Sequence, residues 1–416
     1  MPRGNGRAFY GWKLLAVFWL ILLANLGFPM YGGAFLYSAM ARHFEFSRQM
    51  LGLPFSVFLG TVGLSSPLVA VLIQRLGVRW TLVLGNLSVM LGALVMGLFI
   101  TTGVGAIVAF GLIIGFGVAS GGNLTAQTAI PRWFVRYRAR AFAIMLTAAA
   151  TGGFIAPPLL SAVMGSSGTN WWAGWMILAG VAATAAVLAA VFVRETPEEI
   201  GQLPDGAAQM NEGRAENAVL HSSLSLSVAI RTPRFWTVSL ASAVATGSFG
   251  LMLAHGVANA RDAGHSASDA ALMLALVSLS GFAGKAIVGT SADRFSPAAI
   301  WGGLMLAMSC GLALLALSPQ GRGSYVGAMA LGVGFGGVVV SQPATIARLF
   351  GAQFFAKIAS TVYFLQAIAG IALPWAAGRS FDRFHTYRVS FISAAVGCVI
   401  SGILLIAFRR GEGAGS

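Results

Sequence analysis

The residue whose position most needs explaining is Lys285. It lies inside an apolar run, 16 residues after Asp269 and 8 before Asp293. An ammonium buried in a bilayer without a partner costs at least ~2.5 kcal/mol on insertion scales. A carboxylate arriving as a ligand would be such a partner. The ordinary alternative is snorkelling. Lys285 stands about 6 residues, or ~9 Å, from the nearer end of its run, and a lysine stem covers much of that distance. Charges inside spans mark function by default, so substrate or proton contact is the reading taken here. The twelve acids lie elsewhere, in loops, tails or span ends: Glu45, Glu195, Glu198, Glu199, Asp205, Glu212, Glu216, Asp262, Asp269, Asp293, Asp382 and Glu412. A carrier of organic cations needs a buried carboxylate, and this chain offers none mid-span.

His255 is the second candidate. Its ring can bind a substrate or take a coupled proton, with an unperturbed pKa near ~6.5. A histidine bonded between helices is the plainer reading. Asn259, one turn further along, shares its face. Ser120, Asn123 and Gln127 share a face at i, i+3 and i+7, whereas Gly111, Gly115, Ala119 and Gly122 form a small-residue packing stripe. Tyr31, Gln342, Tyr363 and Gln366 complete the inward polar set, each able to serve instead as an interhelical hydrogen-bonder. The substrate-binding set is therefore Lys285, His255, Tyr31, Asn123, Gln342, Tyr363 and Gln366, with Lys285 and His255 as proton carriers.

Catalytic chemistry is not indicated. There is no phosphate-binding loop for direct ATP drive, and no His, Cys or acid cluster has metal spacing. Ser278 and Ser280 near Lys285 lack an orienting base. Cys310 and Cys398 sit in apolar runs without a disulfide framework. The chain is read as a non-enzyme with no cofactor and no metal.

The elements that must position these residues are membrane spans. Of 416 residues, 57% are hydrophobic and 9% charged, against roughly a quarter charged in a soluble domain. Runs of about 20 apolar residues fit a bilayer. Twelve are expected, near 12–37, 51–73, 79–100, 102–128, 140–164 and 171–193, then 235–260, 269–291, 298–317, 323–347, 355–377 and 388–408. The first is too long for a signal-peptide core. The long polar stretch between the two sets predicts an N-terminal bundle over 1–193, a cytoplasmic linker over 194–234 and a C-terminal bundle over 235–416. The fold class is thus an all-α membrane protein of two pseudo-symmetric six-helix bundles.

Net charge is +14, but the basic residues are scattered singly in short loops, which favours membrane orientation over nucleic-acid binding. With both termini inside, 18 Lys and Arg fall on the inner side and 7 on the outer. That bias places both termini in the cytoplasm, in a cell membrane of the bacterial inner-membrane kind. The halves read as copies. Arg140, Gly153 and Pro157 recur 217 residues later as Lys357, Gly370 and Pro374. Trp12, Tyr31 and Gly32 recur 224 later as Trp236, His255 and Gly256, and Gly115-Phe116-Gly117 recurs as Gly334-Phe335-Gly336. Repeated halves around a midplane site describe a secondary transporter.

The chain resembles the major facilitator superfamily over nearly its whole length. That family's signature between spans two and three, Gly-x-Leu-x-Asp-Arg-x-Gly-x-Arg, reads here Ala70 to Arg79, with Gln74 in place of the acid. A second copy runs from Gly289 through Asp293-Arg294. The resemblance implies cytoplasmic gating by Arg75, Gly77, Arg79, Gly289, Asp293 and Arg294, with Gln74 weakening the first latch. More narrowly, Tyr10-Gly11-Trp12, then Trp133-Phe134 with Arg136, Arg138 and Arg140, resemble the monocarboxylate-transporter and oxalate/formate-antiporter branch. That branch implies a substrate-binding arginine in span eight, where this chain has Lys285. Animal members also carry an aspartate one turn earlier, where this chain has Gly281.

The expected function is a secondary carrier for a small monocarboxylate or related organic anion, by proton symport or anion exchange. Its partners would be that anion, protons and the lipid bilayer, with no nucleic acid, and the chain is expected to be monomeric. Efflux of a hydrophobic or drug-like compound is the first alternative, and a non-transporting sensor the second. The acid-free interior favours anion carriage over cation efflux, and the short loops argue against a sensor.

Overall fold

A computed structural model describes residues 9–46, 48–165, 170–206, 224–292, 294–318 and 320–407. Among them every regular element is helical. Eleven helices are long and apolar enough to cross a membrane, and Gly52–Leu64 is a shorter apolar one. The helix Ser66–Leu98 breaks at Gly77, where φ is +78°, a backbone region that glycine enters without steric cost. The piece before Gly77 continues span two from Arg48–Leu64, and the piece after it is span three. Twelve spans result.

The remaining spans are Tyr10–His43 (one), Gly103–Trp133 (four), Arg138–Met164 (five) and Trp171–Phe192 (six). The second set is Pro233–Asp262 (seven), Ala267–Ser291 (eight), Pro297–Leu317 (nine), Arg322–Phe350 (ten), Phe355–Phe384 (eleven) and Arg388–Ala407 (twelve). Contacts group the chain into two compact units. One is Met1–His221 with Phe355–Ser360, the other Ser222–Phe354 with Thr361–Ser416.

Within the first unit, Phe28, Leu36, Met40, Phe58, Phe110 and Trp175 are buried together. Phe58 and Phe110 stack with ring centroids 5.1 Å apart and planes 2° from parallel, an arrangement that adds to simple burial. Span one is π-helical over Leu23–Gly33 and span four over Ile107–Ile114. Pro29 lies inside the first of these. It removes the N–H that would close an α-turn on the Asn25 carbonyl, and widening to the π register is one way a spanning helix re-satisfies its backbone. Span four is broken at Gly122, between Gly115–Gly121 and Asn123–Trp133. The single polar face expected through Ser120, Asn123 and Gln127 is therefore interrupted.

Within the second unit, span eight packs on span ten, and span nine on spans ten and twelve. Spans eight and ten approach backbone to backbone. A Cβ on Gly284 would enter the Val333 carbonyl and lie 2.6 Å from the Gly337 nitrogen, and one on Gly336 would enter the Gly281 backbone. Small residues permit this approach where the lipid supplies no hydrophobic drive.

The contacts also correct the register of the repeat in spans four and ten. Gly115 meets Thr61 and Phe58 of span two, and Gly332 meets Ser280 and Val277 of span eight. Gly117 meets Gly85 and Val89 of span three, and Gly334 meets Leu304 and Met308 of span nine. Gly115 therefore corresponds to Gly332 and Gly117 to Gly334, an offset of 217. The Gly-Phe-Gly match is two residues out of register.

Candidate functional site

Span eight presents Lys285 one turn after Gly281 and one residue after Gly284, at the edge of the seam with span ten. The side chain is half-buried. Its Nζ lies 5.0 Å from the centroid of the Phe282 ring, a cation–π contact from the preceding turn. The ion pair present among the described residues is Arg132–Glu195, so Lys285 has no described acidic partner. A Cβ on Gly281 would meet the Gly332 carbonyl at 3.5 Å and the Gly336 Cα at 3.8 Å. Those are ordinary contacts, so packing does not forbid the start of an acidic side chain there.

Gln342, Gln366 and Ser242 form one cluster from spans ten, eleven and seven. Gln342 Nε2 donates to Gln366 Oε1 at 2.7 Å and to Ser242 Oγ at 2.9 Å. Gln342 is buried and Gln366 half-buried, and Tyr363 stands half-buried one turn before Gln366. Ser242 was not among the sequence candidates, because a serine in a span usually bonds its own helix. It does so here as well, donating to Val238 O at 2.7 Å, so its lone pairs remain for Gln342.

His255 Nε2 lies 2.9 Å from the Pro374 carbonyl. A carbonyl only accepts, so in this geometry Nε2 carries the hydrogen and Nδ1 is the position open to a further proton. This is the interhelical bond of the plainer reading, and it leaves Nδ1 for a coupling role. The Tyr387 ring lies 5.0 Å from the imidazole and stacks on Phe381 at 4.4 Å. Burial, then the Asp262 and Asp382 carboxylates, push the Tyr387 phenol above its ordinary value, so it stays neutral beside His255. Asn259 Nδ2 donates to Leu315 O at 3.3 Å, a contact between spans seven and nine. Among the described residues no hydrogen bond or ring contact joins Lys285 to the Gln342 cluster or to His255.

In the first unit, Tyr31 is 40% exposed, and a Cβ on Gly153 would lie 3.2 Å from its ring. Asn123 is half-buried with its Oδ1 sealed off and without a described partner. Two residues absent from the sequence candidates lie against Gly121, two positions earlier in span four. Asn25 and Asn86 are fully buried and bonded to each other at 3.1 Å. Intramembrane amides at 25 and 86 were the available signal.

The first gating motif finds its acid outside itself. The Arg79 amide donates to Glu195 Oε1 at 2.9 Å, and Arg132 Nη1 pairs with Glu195 Oε2 at 3.3 Å. The Arg79 guanidinium also donates to the Ala190 carbonyl and lies 5.3 Å from the Trp80 ring centroid. A Cβ on Gly77 would come within 2.5 Å of Glu195 Oε1, so the glycine makes room for the carboxylate. Gln74, Gly77, Arg79, Trp80, Arg132 and Glu195 line a pocket of about 530 Å³, from which Arg75 stands apart, exposed. In the second copy Gly289 is buried and Arg294 exposed. Asp293 lies outside the described residues.

Residues 17–374 match the Major Facilitator Superfamily. The chain belongs to that superfamily. Monocarboxylate transporter 4 of Gallus gallus is 24% identical over 411 residues, covering 95% of this chain and 82% of the relative. An uncharacterized transporter of Saccharomyces cerevisiae, ESBP6, is 27% identical over 243 residues, which span 58% of this chain and 34% of the relative. The fucose:proton symporter FucP of E. coli shares the fold with TM-score 0.73 at 15% identity, over 97% of this chain and 99% of its own. The human organic anion transporter MFSD10 does so with TM-score 0.69 at 15% identity, over 96% and 100%. As a member of the superfamily the chain is a multi-pass membrane transporter.

Proposed function

We propose that this transporter carries a small monocarboxylate or related organic anion by alternating access, as a proton symporter or an anion exchanger. The observation that carries the reading is Lys285, a half-buried cation within span eight with no described acidic partner. An anion entering beside it would supply the missing charge, and a bound carboxylate favours the ammonium form, so binding can draw in a proton. His255, Tyr31, Asn123, Gln342, Tyr363 and Gln366 would contribute hydrogen bonds and specificity. The similarity to monocarboxylate transporter 4 over 95% of the chain supports the substrate class. In this scheme a monomer rocks 1–193 against 235–416 in a cell membrane, with both termini in the cytoplasm. Gly77, Arg79 and Gly289, with Arg75, Asp293 and Arg294, act in gating.

The test is binding and pH-driven uptake of labelled carboxylates in proteoliposomes for wild type, Lys285→Gln and Lys285→Arg. Lys285→Gln should weaken binding by at least about tenfold, the size of one charge-assisted contact, with the fold intact. Lys285→Arg keeps its charge at any accessible pH. It should therefore keep binding and exchange while losing proton-dependent accumulation. Wild-type affinity in Lys285→Gln would leave snorkelling as the role of Lys285 and remove the main support for anion carriage.

A further inference from the structure

We propose that the break in span four, together with Asn25 of span one, is a binding site for a monovalent alkali-metal cation. Asn86 Nδ2 donates to Leu82 O at 2.8 Å and to Gly121 O at 3.4 Å. Both partners are carbonyls, so the Asn86 amide cannot be reversed, and its Oδ1 must accept from Asn25. Asn25 Nδ2 donates to that oxygen at 3.1 Å and to Gly117 O at 3.3 Å. Reversing Asn25 would set its oxygen against two acceptors. The hydrogens of Asn25 are thereby used, and its Oδ1 is left over. That oxygen is sealed from solvent and has no described partner, on a residue that is 0% exposed.

Its direction is given by Gly122. A Cβ built there would lie 2.7 Å from Asn25 Oδ1 and would enter the Val118 carbonyl. The Asn25 Oδ1 and the Val118 carbonyl thus both face the Gly122 Cα. Asn123, the next residue, also has a buried Oδ1 with no described partner. A buried acceptor without a donor is unfavourable, and several together call for a cation or a donor. Broken spans with unwound carbonyls hold coupling ions in just this way in other transporter folds. These ligands are neutral amide and carbonyl oxygens, which suit a singly charged hard cation and leave a divalent one uncompensated. Span ten offers the contrast. By the 217 offset its residue at this place is Val339, and Arg322–Phe350 runs through it unbroken. The inference stands independently of what Lys285 binds.

The experiment is thermal unfolding of the purified full chain in detergent at pH 8, in NaCl, KCl or choline chloride at one ionic strength. Sodium or potassium should raise the midpoint in a saturable way that choline does not reproduce. Asn25→Ala removes the unpartnered oxygen and should abolish the saturable rise, leaving the same midpoint in all three salts. Gly122→Ala fills the space and should remove the effect. Equal midpoints in all three salts for wild type would assign the Asn25 oxygen to water and overturn the proposal, as would a saturable rise that persists in Asn25→Ala. A shift that survives in Gly122→Ala would place the ion elsewhere and overturn it too.

Discussion

Span four of the first half and span ten of the second begin alike and then diverge. Each sets one glycine against the second helix of its half, Gly115 and Gly332, and one against the third, Gly117 and Gly334. Two residues on, the pair is Ala119 and Gly336. Three further, it is Gly122, where span four breaks, and Val339, where span ten does not. The half with the broken helix buries neutral amides, Asn25 and Asn86. The half with the continuous helix uses it as a flat support for span eight, and span eight carries the cation Lys285. Duplication preserved the packing contacts, while the polar groups were free to differ. One half offers oxygen acceptors and the other a positive charge.

The harshest way to break this comparison is to give span ten the residue of span four. In Gly336→Ala the new Cβ would enter the Gly281 backbone, and backbone cannot swing aside as a side-chain tip can. Spans eight and ten must separate, which carries Lys285 out of place. The expected outcome is loss of transport with a lowered unfolding midpoint, an overpacking cost of about 1–3 kcal/mol or more. Gly303→Ala is the control, because a Cβ there meets nothing within 4 Å. It should leave the midpoint unchanged or slightly raised. If Gly336→Ala transported normally and melted with wild type, the seam would not be what positions Lys285.

What the sequence disclosed, and what it hid, follows the same division. Twelve spans were legible because apolar runs of bilayer length have few other uses. Lys285 was legible because charge is so costly there. The break at Gly122 was not, because 54 glycines make any one of them uninformative until its neighbours are known. The Gly-Phe-Gly repeat misled for the same reason, matching in letters two residues away from the match in contacts. Glu195 read as a loop acid, since nothing in Arg194-Glu195-Thr196 reports that Arg79 lies against it. It stands in for the acid that Gln74 lacks.

A milder change sharpens the charged half. Gly281→Asp has room for its Cβ and sets a carboxylate one turn from Lys285. A pair at i and i+4 would form and compete with an arriving anion for the ammonium. Binding of a labelled carboxylate should weaken by about tenfold, the worth of ~1.4 kcal/mol, while the unfolding midpoint holds or rises. Unchanged affinity would mean that the anion is met elsewhere than at Lys285.

The smallest effect is expected where the halves differ by one ring. The sequence repeat at an offset of 224 sets Tyr31 against His255. Tyr31 lies over Gly153 in span five, and His255 bonds the Pro374 carbonyl in span eleven. In His255→Gln the amide N–H can still reach that carbonyl, so the link between spans seven and eleven persists and maximal exchange should stay within about twofold, a few tenths of a kcal/mol. What glutamine cannot do is take a proton at the place of Nδ1. If His255 carries the coupled proton, the inflection of uptake against pH should disappear while counterflow exchange at fixed pH is retained. The measurement is initial uptake from pH 5.5 to 8 beside exchange at each pH, for wild type and His255→Gln. A retained inflection would leave His255 as an interhelical bond alone and assign the coupled proton to Lys285 or to the substrate. Loss of exchange at every pH would show instead that the bond to Pro374 holds the two spans in working register, which glutamine cannot replace.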